Sequence, residues 1–291
     1  PPPAPPLDSD VLDAVARMSV AQKVGQMTQL DVTQVVSYTG GCPWLPWDDP
    51  TSCQPVLNRE RLRTWMATFH VGALLNSPFS AGCIGAVCGW TAAEWRAFMH
   101  DLQSEVQALG EPPILFGLDS THGAGYVLDA TLLPHQLNVG ATFSRSLARA
   151  FGRIGAKDTR AAGVPWLFSP VLGLATHPLW PRVYETFGED PLLVAHLGAE
   201  VIEGIQSVEE DPGTGHGDED TDDGAPPCHK DANTSSAACA RDVTAGGGAS
   251  TTQRVAACAK HFIGYSSPRS GHDRTPVYLS DRELRQYYVP P

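Results

Sequence analysis

The chain has 291 residues, 42% of them apolar, and a formal charge of −12, a globular composition with room for one large domain or two ordinary ones. That charge excludes nucleic acid and anionic membrane surfaces as natural partners, and no apolar run reaches the roughly 18 residues of a membrane span. Eight of the 32 acidic residues fall between Val208 and Cys228, without a Lys or Arg among them, so the remainder carries 24 acidic against 20 basic residues.

The opening PPPAPP predicts an extended arm over residues 1–10. With no initiator Met and no signal peptide, the expectation is a mature or trimmed product. Ser19-Val-Ala-Gln22 is a capping box, and Val20, Val24 and Met27 supply the apolar face of the helix that it starts. VGALLN, residues 71–76, reads as a short buried strand. Thr91-Ala-Ala-Glu94 is a second capping box, opening a helix with Trp95, Phe98, Leu102, Val106 and Leu109 on one side. PPILFGLD is the next strand, ending at Asp119, and Ser144 caps a helix carrying Leu147, Phe151 and Ile154. VPWLFSP is a third strand. Asp190-Pro191 pairs an N-cap with a first-turn proline ahead of Val194, Leu197, Val201 and Ile205. VAACAKHF is the fourth strand, and Ser280 with Glu283 begins a fourth helix.

Strands and helices alternate, and the strands are continuously apolar, which is the signature of a parallel sheet covered by helices. A doubly wound sheet and a (β/α)8 barrel both fit. Asn76, Asp119, Ser169 and Lys260-His261 sit at strand C-terminal ends, the rim that carries the chemistry in barrels. No glycine-rich phosphate fingerprint follows any strand. The expected fold is therefore α/β, a TIM-type (β/α)8 barrel of which the chain supplies about the first half, about four units. Residues 11–206 and 254–291 belong to that barrel. Residues 207–253, rich in Gly, Asp and Ser, form a surface insertion; its acidic run matches no calcium-loop spacing.

Seven cysteines suggest three local disulfides, pairing Cys42 with Cys53, Cys83 with Cys88 and Cys228 with Cys239, as in secreted, lumenal or cell-surface proteins. Reduced cysteines throughout are the alternative. Cys258 lies within a strand and packs as a small hydrophobe. Asn233-Thr234-Ser235 is a glycosylation sequon.

Asp119 ends a buried strand, where a carboxylate must find donors; sugar hydroxyls are suitable, and a loop cap is the structural alternative. His122 and Gly123 shape the turn after it. Arg182 lies in a loop rich in Pro and Trp, where a guanidinium can fork onto two oxygens while aromatic faces stack on sugar C–H groups. A salt bridge to Glu185, Glu189 or Asp190 is its alternative. Lys260 and His261 are adjacent, so both reach one ligand only if the backbone leaves regular β geometry there; a snorkelling lysine and a core histidine are the alternative. Asp273 and Arg274 either extend this polar, hydrogen-bonding group of residues or serve in loop salt bridges. Nothing calls for a cofactor or a metal.

SVAQKVGQM (19–27), FGLDSTHG (116–123), LLPHQLNVGATFSRSLARAFGRIGAKDTRAAG (132–163), FSPVLGLATHPLWPRVYETFGEDP (168–191) and AKHFIGYSSPRSGHDRTP (259–276) together resemble the N-terminal barrel domain of glycoside hydrolase family 3. Gly173, where Asp is common, and Pro181, where Gly usually precedes the arginine, depart from the pattern. The resemblance implies a retaining, exo-acting β-glucosidase type of enzyme, in which Asp119, Arg182, Lys260 and His261 grip the terminal sugar of a β-glucoside or oligosaccharide in the −1 subsite. It places no catalytic residue in this chain. The Asp nucleophile and the acid/base are expected beyond residue 291, in a C-terminal complement to the barrel. A catalytically inactive family 3 domain with a structural or carbohydrate-binding role is the rival reading.

Overall fold

The computed structural model describes residues 8–39, 54–78, 83–84, 87–207 and 254–291. Cys42, Cys53, Cys228, Cys239 and Asn233 lie outside these residues, as does nearly all of the acidic insertion. Helix α1 (Ser9–Arg17) begins within the stretch assigned to the Pro-rich arm, because the Asp8 side chain accepts from the Asp10 amide. Helix α2 (Val20–Gln26) starts on the expected capping box, Ser19 with Gln22. Then come β1 (Gln29–Asp31), the antiparallel pair β2 (Val36–Thr39) and β3 (Gln54–Leu57), helix α3 (Arg59–Phe69) and strand β4 (Ala73–Leu75).

Two short strands, β5 (Cys83–Ile84) and β6 (Val87–Cys88), pair antiparallel with Cys83 directly opposite Cys88. Helix α4 (Ala92–Ala108) uses the Thr91/Glu94 box, β7 spans Leu115–Leu118, and α5 (Gln136–Ala141) precedes α6 (Arg145–Ala161), capped by Ser144. Strand β8 (Trp166–Leu167) is followed by α7 (Pro191–Gln206), whose first-turn amides at Leu192 and Leu193 donate to Asp190. Strand β9 (Ala256–Ala257) and helix α8 (Asp281–Glu283), which continues as a π-helical turn over Leu284–Tyr288, complete the order.

Five strands form one sheet in the order β1-β4-β7-β8-β9, and every pairing is parallel. The spatial order is the chain order, with no reversal. A doubly wound sheet reverses at a switch point, so this winding is that of successive barrel units. There is one strand more than predicted: β1 is short and carries Gln29 and Asp31, so it shows no apolar run.

The core has two clusters. One joins α3 and α4 to β4 and β7 through Leu62, Met66, Leu74, Trp95, Leu102, Phe116 and Leu118. The other lies under α6 and α7, with Phe151, Leu167, Val194, Leu197, Val201 and Ile205. Buried Glu200 ties α7 to Arg145 and Arg149 of α6. Burying each large apolar side chain stabilises by about 1.5–3 kcal/mol, and the predicted inner faces of α4 and α7 are all accounted for here. The predicted face of α2 is not. Val20 is 77% and Met27 80% exposed, and α2 instead docks its backbone through buried Gly25 onto the end of α3. Leu147 of α6 is likewise exposed. Among the described residues no helix is long and apolar enough to cross a membrane, and Cys258 is a free thiol.

Candidate active site

Regular β structure stops early in the fourth predicted strand. Past β9, Lys260 makes an isolated parallel bridge with Val171, and its carbonyl accepts from the Leu172 amide at 2.6 Å. The Lys260–His261 peptide is cis. The two side chains take different partners. Lys260 Nζ donates to Asp119 Oδ1 across the sheet end, and the lysine side chain is only 11% exposed. His261 packs its ring against that of Tyr265, centroids 4.6 Å apart and planes tilted by 49°. Phe262, next in the chain, is 96% exposed, so it is no part of a buried strand.

Asp119 opens onto a cavity of about 720 Å³ lined also by His122, Tyr126, Arg182, Glu185, Asp273 and Arg274. Lys260 and His261 line a neighbouring cavity of about 150 Å³. The Asp119–Lys260 ion pair joins the two. On the far wall, Gly123 (φ 91°) takes the turn after Asp119 where a Cβ would meet the Thr131 carbonyl at 2.4 Å. The His122 carbonyl then accepts from Leu133 at 2.8 Å and closes the loop. The His122 ring packs on His135, and His135 on Tyr184. Burial and the neighbouring His135 lower the His122 pKa, and its Nδ1 is buried without a hydrogen-bond partner.

Arg182 is fixed by a fork. Its Nε and Nη2 donate to Glu185 Oε1 and Oε2 at 2.7 and 2.6 Å, and Nη1 donates to the Tyr265 hydroxyl at 3.3 Å. The expected alternative partner, Glu185, is thus real, and it is almost wholly buried. The guanidinium pKa is pushed further up, chiefly by that hydrogen-bonded fork. Tyr265 in turn donates to Asp273 Oδ1 at 2.7 Å, and the Trp180 indole donates to the same oxygen at 2.9 Å. Burial would raise the Asp273 pKa; those two hydrogen bonds and the charges of Arg182 and Arg274 outweigh it and lower it. His261 is pushed down to about 4, first by burial, then by the positive charges of Lys260 and Arg182, against the opposing pull of Glu185 and Asp119.

Lys260 thus pairs with Asp119, while Arg182, His261 and Asp273 meet at Tyr265; Asp119, Arg182 and Asp273 border the larger cavity, and Lys260 and His261 the smaller. Arg274 stands at the edge of the larger one, 3.6 Å from Asp273 Oδ2. Other rim residues are used differently. Asn76 donates to Asp31 Oδ2 at 2.6 Å, and Ser169 Oγ is buried without a partner. Trp180 is 1% exposed, so its indole face packs inside the loop and presents no stacking surface. Gly173 lies against Ser266, whose Oγ accepts from the Leu174 amide at 2.9 Å. Sequence reasoning missed Tyr265, Trp180 as a hydrogen-bond donor, and Asp31. Tyr265 stands four residues after His261 within a quoted motif, but no spacing rule marks a tyrosine in a turn as a hub.

A singly wound parallel sheet with Asp119 and Lys260 at strand C-terminal ends, and Arg182 in the loop after β8, has the layout of a barrel-type domain. The chain belongs to glycosyl hydrolase family 3: the profile of that family's N-terminal domain matches residues 19–291. It is 36% identical over 286 residues to the lysosomal beta glucosidase of Dictyostelium discoideum, covering 97% of this chain and 29% of that protein. Its fold is similar to the crystal structure of an exo-1,3/1,4-beta-glucanase from a Pseudoalteromonas species, with a TM-score of 0.65 at 23% identity over 97% of this chain and 28% of the other. It is also similar to a mutant beta-glucosidase from Listeria innocua in complex with laminaribiose, with a TM-score of 0.60 at 24% identity over 98% and 30% of the two chains. The chain thus spans about a third or less of the length of these relatives.

Proposed function

We propose that this chain forms the sugar-gripping part of a retaining, exo-acting β-glucosidase, which hydrolyses terminal non-reducing β-D-glucosyl residues. Asp119, Arg182, Lys260 and His261 hold the sugar in the −1 subsite, and Asp273 and Arg274 extend the rim. The observation that carries this reading is the Asp119–Lys260 ion pair opening onto the cavity that Arg182 also lines. Each sugar hydroxyl is both donor and acceptor. A carboxylate set beside an ammonium and a guanidinium answers both halves of that requirement, and charged partners make the stronger hydrogen bonds. An imidazole held neutral by its surroundings adds one donor and one acceptor without adding charge.

Retaining hydrolysis needs two carboxyl groups about 5–5.5 Å apart, one attacking the anomeric carbon and one protonating the leaving oxygen. We assign both to a C-terminal segment or companion chain that completes the barrel, in keeping with the greater length of the relatives. Edge strands β1 and β9 and the exposed apolar side chains of α2 are the surfaces for it to cover. The compartment is secreted, lumenal or cell-surface, with local disulfides and a glycan at Asn233; the lysosomal relative supports it.

The test is release of 4-nitrophenol from its β-D-glucoside by the full-length protein, with NMR following the anomeric configuration of the glucose. Release with retention is expected. No hydrolysis of any aryl β-glucoside, or inversion, would contradict the reading.

A further inference from the structure

Tyr265 touches four of the groups around the site. Its ring packs against His261 at 4.6 Å, tilted by 49°, and meets Trp180 edge-on at 5.7 Å. Its hydroxyl accepts from Arg182 Nη1 and donates to Asp273 Oδ1. The Arg182 guanidinium carbon lies 5.6 Å from the ring centroid. Chain geometry sets this up: Gly264, with φ of 81°, turns the backbone between exposed Phe262 and Tyr265, and Ser267 closes the turn onto the Gly264 carbonyl at 3.2 Å.

We propose that Tyr265 is a positioning residue that locks Arg182 and His261 into one sugar-binding arrangement, with Asp273 as its anchor; this rests on the reading above. A phenol hydroxyl has one proton to give. The Tyr265 hydroxyl donates its one hydrogen bond to Asp273, so its lone pairs face Arg182 and the tyrosine can only accept from it. Trp180, on the same Asp273 oxygen, holds the carboxylate that sets this direction. Glu185 fixes one edge of the guanidinium and Tyr265 a further N–H. Of the five N–H groups of an arginine, two then remain for a ligand, on a plane that cannot rotate. Free rotation of that plane would spread those two donors over many directions, most of them unproductive. Through its ring, the same tyrosine orients the imidazole on the Lys260 side.

The experiment is a double-mutant cycle in the full-length enzyme. Tyr265→Phe keeps the ring and removes the hydroxyl; Arg182→Lys keeps the charge and removes the fork. The readouts are inhibition by glucose, kcat and KM on 4-nitrophenyl β-D-glucoside, and the melting temperature. Tyr265→Phe is expected to weaken glucose binding roughly tenfold, the scale of one hydrogen bond to a charged group, in a protein that stays folded with its melting temperature lowered by a few degrees. In the Arg182→Lys background the same change is expected to cost less than about twofold, because contacting residues are non-additive. Asp273→Asn, which weakens the anchor, should reproduce the Tyr265→Phe loss. An equal loss in both backgrounds, or none in an active wild type, overturns the positioning role. A wild type that neither binds glucose nor cleaves the glucoside overturns the function reading on which it stands, and is told apart by the first row of the cycle alone.

Discussion

Two clusters of polar residues sit at the C-terminal ends of this sheet, and they are built differently. At the β1/β4 end, Asp31 accepts from the Thr33 amide at 2.9 Å, from the Thr33 hydroxyl at 2.6 Å and from Asn76 at 2.6 Å. Burial pulls its pKa up, and these hydrogen bonds more than compensate, leaving it lowered. Its oxygens serve a turn. At the β7–β9 end, Asp119 answers a single lysine through one oxygen and faces a cavity that can hold a ligand. A strand-end carboxylate thus takes either role. What separates the two is hydrogen-bonding capacity left after the protein's own groups are satisfied.

Asp119→Asn breaks that comparison most severely. It removes the charge that balances Lys260, whose side chain is 11% exposed against 42% for Asp119, and it replaces a charged acceptor for sugar hydroxyls by a neutral one, the scale of about 1.5–3 kcal/mol for a hydrogen bond to a charged group. We expect kcat/KM on an aryl β-glucoside to fall about 30-fold, measured in the full-length enzyme. Arg182→Lys comes next. An ammonium cannot fork onto Glu185 while also reaching Tyr265, so sugar affinity is expected to drop roughly 10-fold by titration calorimetry, the scale of a charged hydrogen bond. At the other end, Asp31→Asn should lower stability by about 1 kcal/mol in urea unfolding and leave KM unchanged. A KM effect equal to that of Asp119→Asn would erase the distinction.

The last comparison is a pH dependence. His261 is held near pKa 4 in the folded chain against 6.5 for a free imidazole. Between those values the unfolded chain binds the proton and the folded chain does not, so stability falls as pH drops from 6.5 towards 4. Below about 4 both forms are protonated and the contribution is fully lost. His261→Gln should flatten this part of the stability profile, measured by denaturant unfolding at stepped pH. A profile identical to the wild type would place the histidine in water.

Long elements were legible in the sequence because periodicity and caps agree there: α4 and α7 begin at their predicted capping residues and bury the predicted side chains, except Leu109, which follows α4 and is half-buried. Short elements were not. Strand β1 alternates polar and apolar residues over three positions, and α2 packs by backbone approach, which leaves no apolar stripe to read. The candidate site was legible as polar groups, Asp119 and Lys260-His261 at strand ends and Arg182 in the loop after a strand, and Asp119 and Arg182 do line one cavity. Their supports were not. Glu185 entered only as a rival partner for Arg182. The Tyr265–Asp273–Trp180 chain depends on loops meeting across more than 80 residues of sequence.

The most direct measurement is a crystal structure of the full-length protein soaked with glucose. One glucose should sit with its hydroxyls within hydrogen-bond distance of Asp119, Lys260, His261 and Arg182 together, with Tyr265 still bridging Arg182 to Asp273. Glucose bound elsewhere, or held by other residues while these four stay paired only with protein, would contradict the account.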